Sequence, residues 1–322
     1  MSTLTGPILV PLDGSSTSAS ILPYAVALAR ALQLPVVLFQ AVDPHSVMMP
    51  QAPVGARPAG SLCTAGRRGF EMAQTQLIDQ ELGKVRAHLE SVAATFGEHD
   101  VAATVLVHEG TAAETILAAA HETGAGLVAM STHGHTGLQR LMMGSVTDRV
   151  VHDAHLPMLV AHPIAGAALG EPHWQRVLLP LDGSAGAAEA GVPVAVQVAK
   201  ALGAPVNLGR IIPPPKVAIT GTPGDLTGAV ELLSYAADDA LGKAQAYLED
   251  IAARMRAEGV KTEQFAAIGL PEEEILKMAE PQTLLVMATH GRTGVARMVQ
   301  GSVADRVMRT ANSAVLLVPR EH

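Results

Sequence analysis

The chain has 322 residues, 48% of them apolar and 16% charged. That excludes a disordered chain and gives room for about two domains of ~150 residues, each able to bury a core. A formal charge of −8 and an aromatic content of 2% argue against electrostatic capture of nucleic acid or of an anionic membrane, and against reading bases by stacking.

Residues 1–13 carry neither a basic segment nor a long apolar core, so no signal peptide is expected. Residues 7–12 form a short apolar run that ends in Asp13-Gly14-Ser15, which predicts a buried strand running into a turn. Residues 16–32 have helical spacing and are rich in alanine. Residues 35–42 are β-branched and apolar, a second strand. The longest apolar stretch, 21–39, is broken by Arg30, Gln33 and two prolines, too often for a membrane span. Residues 43–69 hold several prolines and glycines and read as a long loop. This loop contains Cys63, which as the single cysteine excludes an intrachain disulfide and fits a reducing cytosol. An amphipathic helix is predicted over 71–96, a strand over 101–107, a helix over 112–121 and a strand over 126–131. A short helix over 145–153 and a strand over 157–161 complete the series. The expectation is a cytoplasmic protein that meets no membrane.

The series then repeats. LVPLDGS at 9–15 returns as LLPLDGS at 178–184, THGHTG at 132–137 as THGRTG at 289–294, and GSVTDRV at 144–150 as GSVADRV at 301–307. Segments returning in the same order mark a duplicated domain, and units of ~150 residues are too long for a solenoid repeat. Pro163, Gly166, Gly170 and Pro172 punctuate the boundary, giving domains at 1–163 and 174–322. The second copy has a shorter loop near 213–228, and its third helix is clipped near Pro281. Apolar strands alternating with helices imply a parallel sheet covered on both faces, whose ligands lie beyond the C-terminal strand ends at the point where strand order reverses.

Two repeated polar segments leave such strand ends. In the segment 131–145, His133-Gly134 allows a close backbone approach and Gly144-Ser145 opens a helix whose free N–H groups favour an anion. The alternative is capping, since Ser145 and Asp148, like Ser302 and Asp305, have capping-box spacing. Capping does not account for Gly134, Gly137 and Gly144 returning as Gly291, Gly294 and Gly301. Asp13 and Asp182 are placed either to accept from a ribose hydroxyl or help hold Mg²⁺, or to close an Asx-turn. Walker-type and dinucleotide glycine patterns are absent from the sequence, and no nucleophilic triad stands out. Histidines at 133, 135, 152 and 155 become Arg292, Arg309 and Asn312 at three of the four equivalent positions, which argues against a dedicated metal site.

These residues resemble the universal stress protein family. Its nucleotide-binding members carry Gly-x-x-Gly, nine residues, then Gly-Ser/Thr. Gly134 with Gly144-Ser145, and Gly291 with Gly301-Ser302, match all but the first glycine, which is Ser131 in one copy and Ala288 in the other. The resemblance covers both domains and includes the Pro-x-Asp-x-Ser start at Pro11 and Pro180. It implies two tandem doubly wound α/β domains, each a five-stranded parallel sheet with helices on both faces, of the adenine nucleotide alpha hydrolase-like type. It further implies ATP, ADP or AMP at each switch point, with Mg²⁺ at Asp13 and Asp182 through the nucleotide. By position, Pro11, Asp13 and Ala41 would line adenine and ribose, and Met130, Ser131, Gly134, Gly144, Ser145 and Val146 would hold ribose and phosphates. In the second copy these are Pro180, Asp182 and Ile211, then Met287, Ala288, Gly291, Gly301, Ser302 and Val303. Family members often pair through the fifth strand. Here 157–160 and 315–318 could pair within one chain as an internal pseudo-dimer, with a homodimer also open. The expected role is a stress-response binding protein with an unidentified protein partner. A slow Mg²⁺-dependent ATP hydrolase and a nucleotide-free scaffold are the alternatives.

Overall fold

A computed structural model of the chain describes residues 3–48, 64–132, 144–161, 172–184, 188–214, 226–289 and 302–319. The first half runs β1 (Ile8–Pro11), α1 (Ser16–Ala19), α2 (Leu22–Leu32), β2 (Val36–Val42), α3 (Pro44–Met48), α4 (Thr64–Gly97), β3 (Ala103–Glu109), α5 (Ala112–Glu122), β4 (Leu127–Ser131), α6 (Ser145–Asp153) and β5 (Met158–Ala161). The second runs β6 (Arg176–Pro180), α7 (Gly191–Leu202), β7 (Val206–Ile212), α8 (Leu226–Ala257), β8 (Thr262–Ile268), α9 (Pro271–Met278), β9 (Thr283–Thr289), α10 (Ser302–Thr310) and β10 (Ala314–Pro319).

Each half is a five-stranded parallel sheet in the order β3-β2-β1-β4-β5 or its equivalent, so the chain reverses direction across the sheet between β1 and β4, and between β6 and β9. The apolar runs serve two faces. Val36 and Leu38 of β2 pack toward α2 and α4, while Val37 and Phe39 pack toward α5. This two-sided burial is why the strands read as continuous apolar runs rather than alternating ones.

Two stretches fold differently from their sequence pattern. The single helix predicted over 16–32 is two. The Ser15 hydroxyl accepts the Ser18 N–H at 3.0 Å to cap α1, and the Ser20 hydroxyl turns back onto the Thr17 carbonyl at 2.6 Å. Such local bonds compete with helix continuation. Pro23 then falls in the first turn of α2, where its missing N–H costs nothing. Within the predicted loop 43–69, α3 and the first turns of α4 are helical.

The two halves join into one ten-stranded sheet. β5 and β10 pair antiparallel, with Leu316 opposite Leu159 and Val315 opposite Val160. Helices cover this junction on both faces. On one face α2 meets α7, Tyr24 lies 6.2 Å from the buried Trp174, and Gln197 bonds both the N–H and the carbonyl of Leu4. On the other, Arg309 of α10 reaches Asp148 of α6 and Asp305 of its own helix, each at 2.9 Å.

Candidate functional site

At the first switch point a cleft of about 270 Å³ opens between the ends of β1, β2 and β4 and the starts of α1, α5 and α6. That lies near the lower end of small-molecule pockets, ~300–1,000 Å³. Its floor is apolar, made by Phe39, Ala41, Ile116 and Met130. Its rim is polar, with Asp13, Ser131 and Ser145 among the lining residues.

The rim is held in place by hydroxyls. Asp13 follows β1, and its carboxylate accepts the Ser15 N–H at 2.9 Å while its own N–H donates to the Ser18 hydroxyl at 3.2 Å. Partial burial opposes the charge on Asp13. The Ser15 and Ser18 hydroxyls, with the N–H groups of Ser15 and Asp13, outweigh that and hold its pKa below the ordinary value near 3.8. A carboxylate with a depressed folded-state pKa stabilises the fold above its unfolded pKa, and that contribution disappears as pH falls through the folded value. In urea melts from pH 6 down to about pH 2.5, the stability gap between wild type and Asp13→Asn is expected to narrow at the acid end.

Ser131 ends β4 and donates to the Thr17 carbonyl at 2.7 Å, tying α1 to the strand end. The Thr147 hydroxyl donates to the Ser131 carbonyl at 3.3 Å, which fixes the first turn of α6 beside it. The capping-box expectation fails here. Gly144, not Ser145, is the cap (φ −59°, ψ 142°), and no side chain caps the helix start among the described residues. Ser145 is the first helical residue and is exposed, with no hydrogen-bond partner among the described residues. Asp148 faces Arg309 instead. The first intrahelical bond of α6 is Asp148 N–H to the Gly144 carbonyl at 2.9 Å, so the N–H groups of Ser145, Val146 and Thr147 precede any intrahelical acceptor.

Pro11, Asp13, Ala41, Met130, Ser131, Gly144, Ser145 and Val146 thus all line one cleft. Gly134, Gly291 and Gly301 lie outside the described residues. In the second half Pro180 ends β6, Asp182 lies in the turn after it, Ile211 lies on β7, Met287 and Ala288 on β9, and Ser302 and Val303 open α10. Phe39, Ala112, Ile116 and Thr17 were not legible as lining residues, because their approach depends on how α5 and α1 dock. One signal was available in the second half. Gly209 in the strand sequence VNLGRII marks a close approach, and a Cβ there would lie 2.1 Å from the Phe265 ring. Phe265 on β8 therefore packs over the position that Phe39 holds on β2. Among the described residues, no group of three or more His, Cys, Asp or Glu could hold a metal, and no helix is long and apolar enough to cross a membrane.

The doubly wound α/β domain is present twice, and in the first half a cleft with an apolar floor and a helix start lies at the switch point, where such folds place their ligands. The sequence profile of the universal stress protein family matches residues 5–162 and again 173–319. The chain belongs to that family. It is 26% identical to a universal stress protein of Mycolicibacterium smegmatis, with 97% of this chain and 96% of that one aligned. It is 31% identical to universal stress protein MJ0531 of Methanocaldococcus jannaschii, over 47% of this chain and 85% of the relative. The crystal structure of a universal stress protein from Archaeoglobus fulgidus superposes with a TM-score of 0.67, over 98% of each chain at 18% identity, and shares the fold.

Proposed function

We propose that the protein binds ATP or a related adenine nucleotide in the first-half cleft and its second-half equivalent, as a regulatory binding protein rather than a fast catalyst. The observation that carries this reading is the pairing, in one cleft, of an apolar floor with a helix start whose N–H groups and Ser145 hydroxyl have no partner among the described residues. The floor of Phe39, Ala41, Ile116 and Met130 suits an adenine ring. Asp13 suits the ribose hydroxyls. The start of α6 favours phosphate oxygens through donors that precede any intrahelical acceptor and through the helix dipole.

The residues fit such a ligand without a dedicated metal cage. One oxygen of Asp13 accepts the Ser15 N–H, so Mg²⁺ would be held mainly by the nucleotide's phosphates, as is usual for this ion. The nucleotide brings the phosphoanhydride, and the chain's own residues bind and orient it.

Calorimetric titration with Mg-ATP tests the reading. Saturable binding is expected, and Asp13→Ala should weaken it roughly tenfold or more, as loss of a charge-assisted hydrogen bond does. Absence of heat at millimolar nucleotide, with the protein folded by circular dichroism, would reject it.

A further inference from the structure

The two halves are built on one plan, but the turn after the first strand differs between them. In the first half, Ser15 caps α1, and Ser131 bonds the Thr17 carbonyl at 2.7 Å. In the second half, the residues equivalent to Ser16, Thr17 and Ser18 are Ala185, Gly186 and Ala187, and Ser131 is replaced by Ala288. The hydroxyl that ties strand end to helix is therefore missing. Ser184 donates both its N–H and its hydroxyl to the Asp182 carboxylate.

The space over the turn differs as well. Gly14 and Gly183 have the same left-handed backbone, with φ of +79° and +77°. A Cβ on Gly14 would meet nothing within 4 Å among the described residues, whereas one on Gly183 would lie 2.2 Å from the guanidinium carbon of Arg210. Arg210 occupies the β7 register position that Gln40 holds on β2, and its guanidinium sits 5.1 Å from the Tyr247 ring centroid. A bulky planar cation therefore lies against the second turn, while no described residue crowds the first. The floor is also fuller: half-buried Ala41 is replaced by Ile211, which is buried.

We propose that the sites are not equivalent. The first half holds the high-affinity nucleotide site, preorganised by Ser131 as a positioning residue. In the second half, Arg210 and the loss of the serine ties make nucleotide binding weaker by at least about tenfold, the effect of one to two missing hydrogen bonds. This rests on the adenine nucleotide reading above.

Titration of the full chain with Mg-ATP decides it. Wild type is expected to show one strong site and a second at least about tenfold weaker. Asp13→Ala should remove the strong phase, and Asp182→Ala should leave it. Ser131→Ala should weaken the strong phase roughly three- to tenfold while the protein still melts cooperatively, and Ser131→Thr should restore it. Arg210→Gln should strengthen the second phase. Two phases of equal affinity, or a strong phase that disappears with Asp182→Ala, would overturn the asymmetry while leaving nucleotide binding intact. A further loss of second-phase affinity in Arg210→Gln would likewise overturn it, by making Arg210 a ligand contact. No binding in any variant would reject the nucleotide reading itself.

Discussion

Gly126→Ala is expected to destabilise the protein by about 3 kcal/mol or more, at the upper end for overpacking. Gly126 precedes β4. A Cβ built on it would lie 1.6 Å from the Thr5 carbonyl oxygen and 2.6 Å from the Thr5 carbonyl carbon. Those are backbone atoms, so no rotamer change relieves the overlap. The segments cannot simply separate, because the Gly126 N–H bonds the Pro7 carbonyl at 3.0 Å and Leu127 pairs with Ile8. Gly6 shows the same crossing from the other side, with φ +84° and a would-be Cβ 2.5 Å from the Gly124 carbonyl. Since β4 delivers Met130 and Ser131 to the cleft, Mg-ATP binding to the first half should fall along with stability. Urea melts report the first effect and calorimetry the second. Gly83→Ala in α4, where a Cβ meets nothing within 4 Å among the described residues, is the control. It should leave stability equal or higher by up to about 1 kcal/mol, because alanine favours the helix. An unchanged melt for Gly126→Ala would show that the two segments do not pack this way.

Leu316→Asp should be still more damaging, at roughly 4 kcal/mol or more. Leu316 is fully buried in β10, opposite Leu159 of β5 and beside Val286 of β9. The described residues provide no cation there to pair with a carboxylate, so the new group must enter the core protonated or force the strands apart. Leu316→Ala leaves a cavity without a charge and should cost about 2–5 kcal/mol. The Asp variant should also split the melt, because the junction is what couples the halves. A single transition at the wild-type midpoint would rule out this role for the β5–β10 pair.

Much of the fold was legible in the sequence because duplication showed the plan twice and buried parallel strands leave uninterrupted apolar runs. The boundaries that were misread share a cause. α1 ends at Ser20 because a hydroxyl competes locally for a carbonyl, and nothing in the alanine-rich composition of that stretch reveals it. α4 begins at Thr64 although Gly66 and Gly69 disfavour a helix, so intrinsic propensity alone misplaced its start. In the site, the eight described first-half positions named from the sequence line one cleft. What spacing could not reveal was partner choice. The serine and acid that looked like a capping box are divided between an open helix start and an ion pair with the other half. The exchange of Phe39 for Gly209 together with Leu106 for Phe265 is visible only once β2 and β3, and β7 and β8, are seen side by side.

The junction between β5 and β10 has a thermodynamic consequence. Two separate copies of such a domain would pair by a second-order association, so their pairing would fall with dilution and vary with expression level. Here both strands belong to one polypeptide, and their pairing is first order. Dilution cannot separate them, and one molecule always carries one copy of each half. Two unequal halves are thereby kept in fixed proportion at any abundance, which no equilibrium between identical subunits can guarantee.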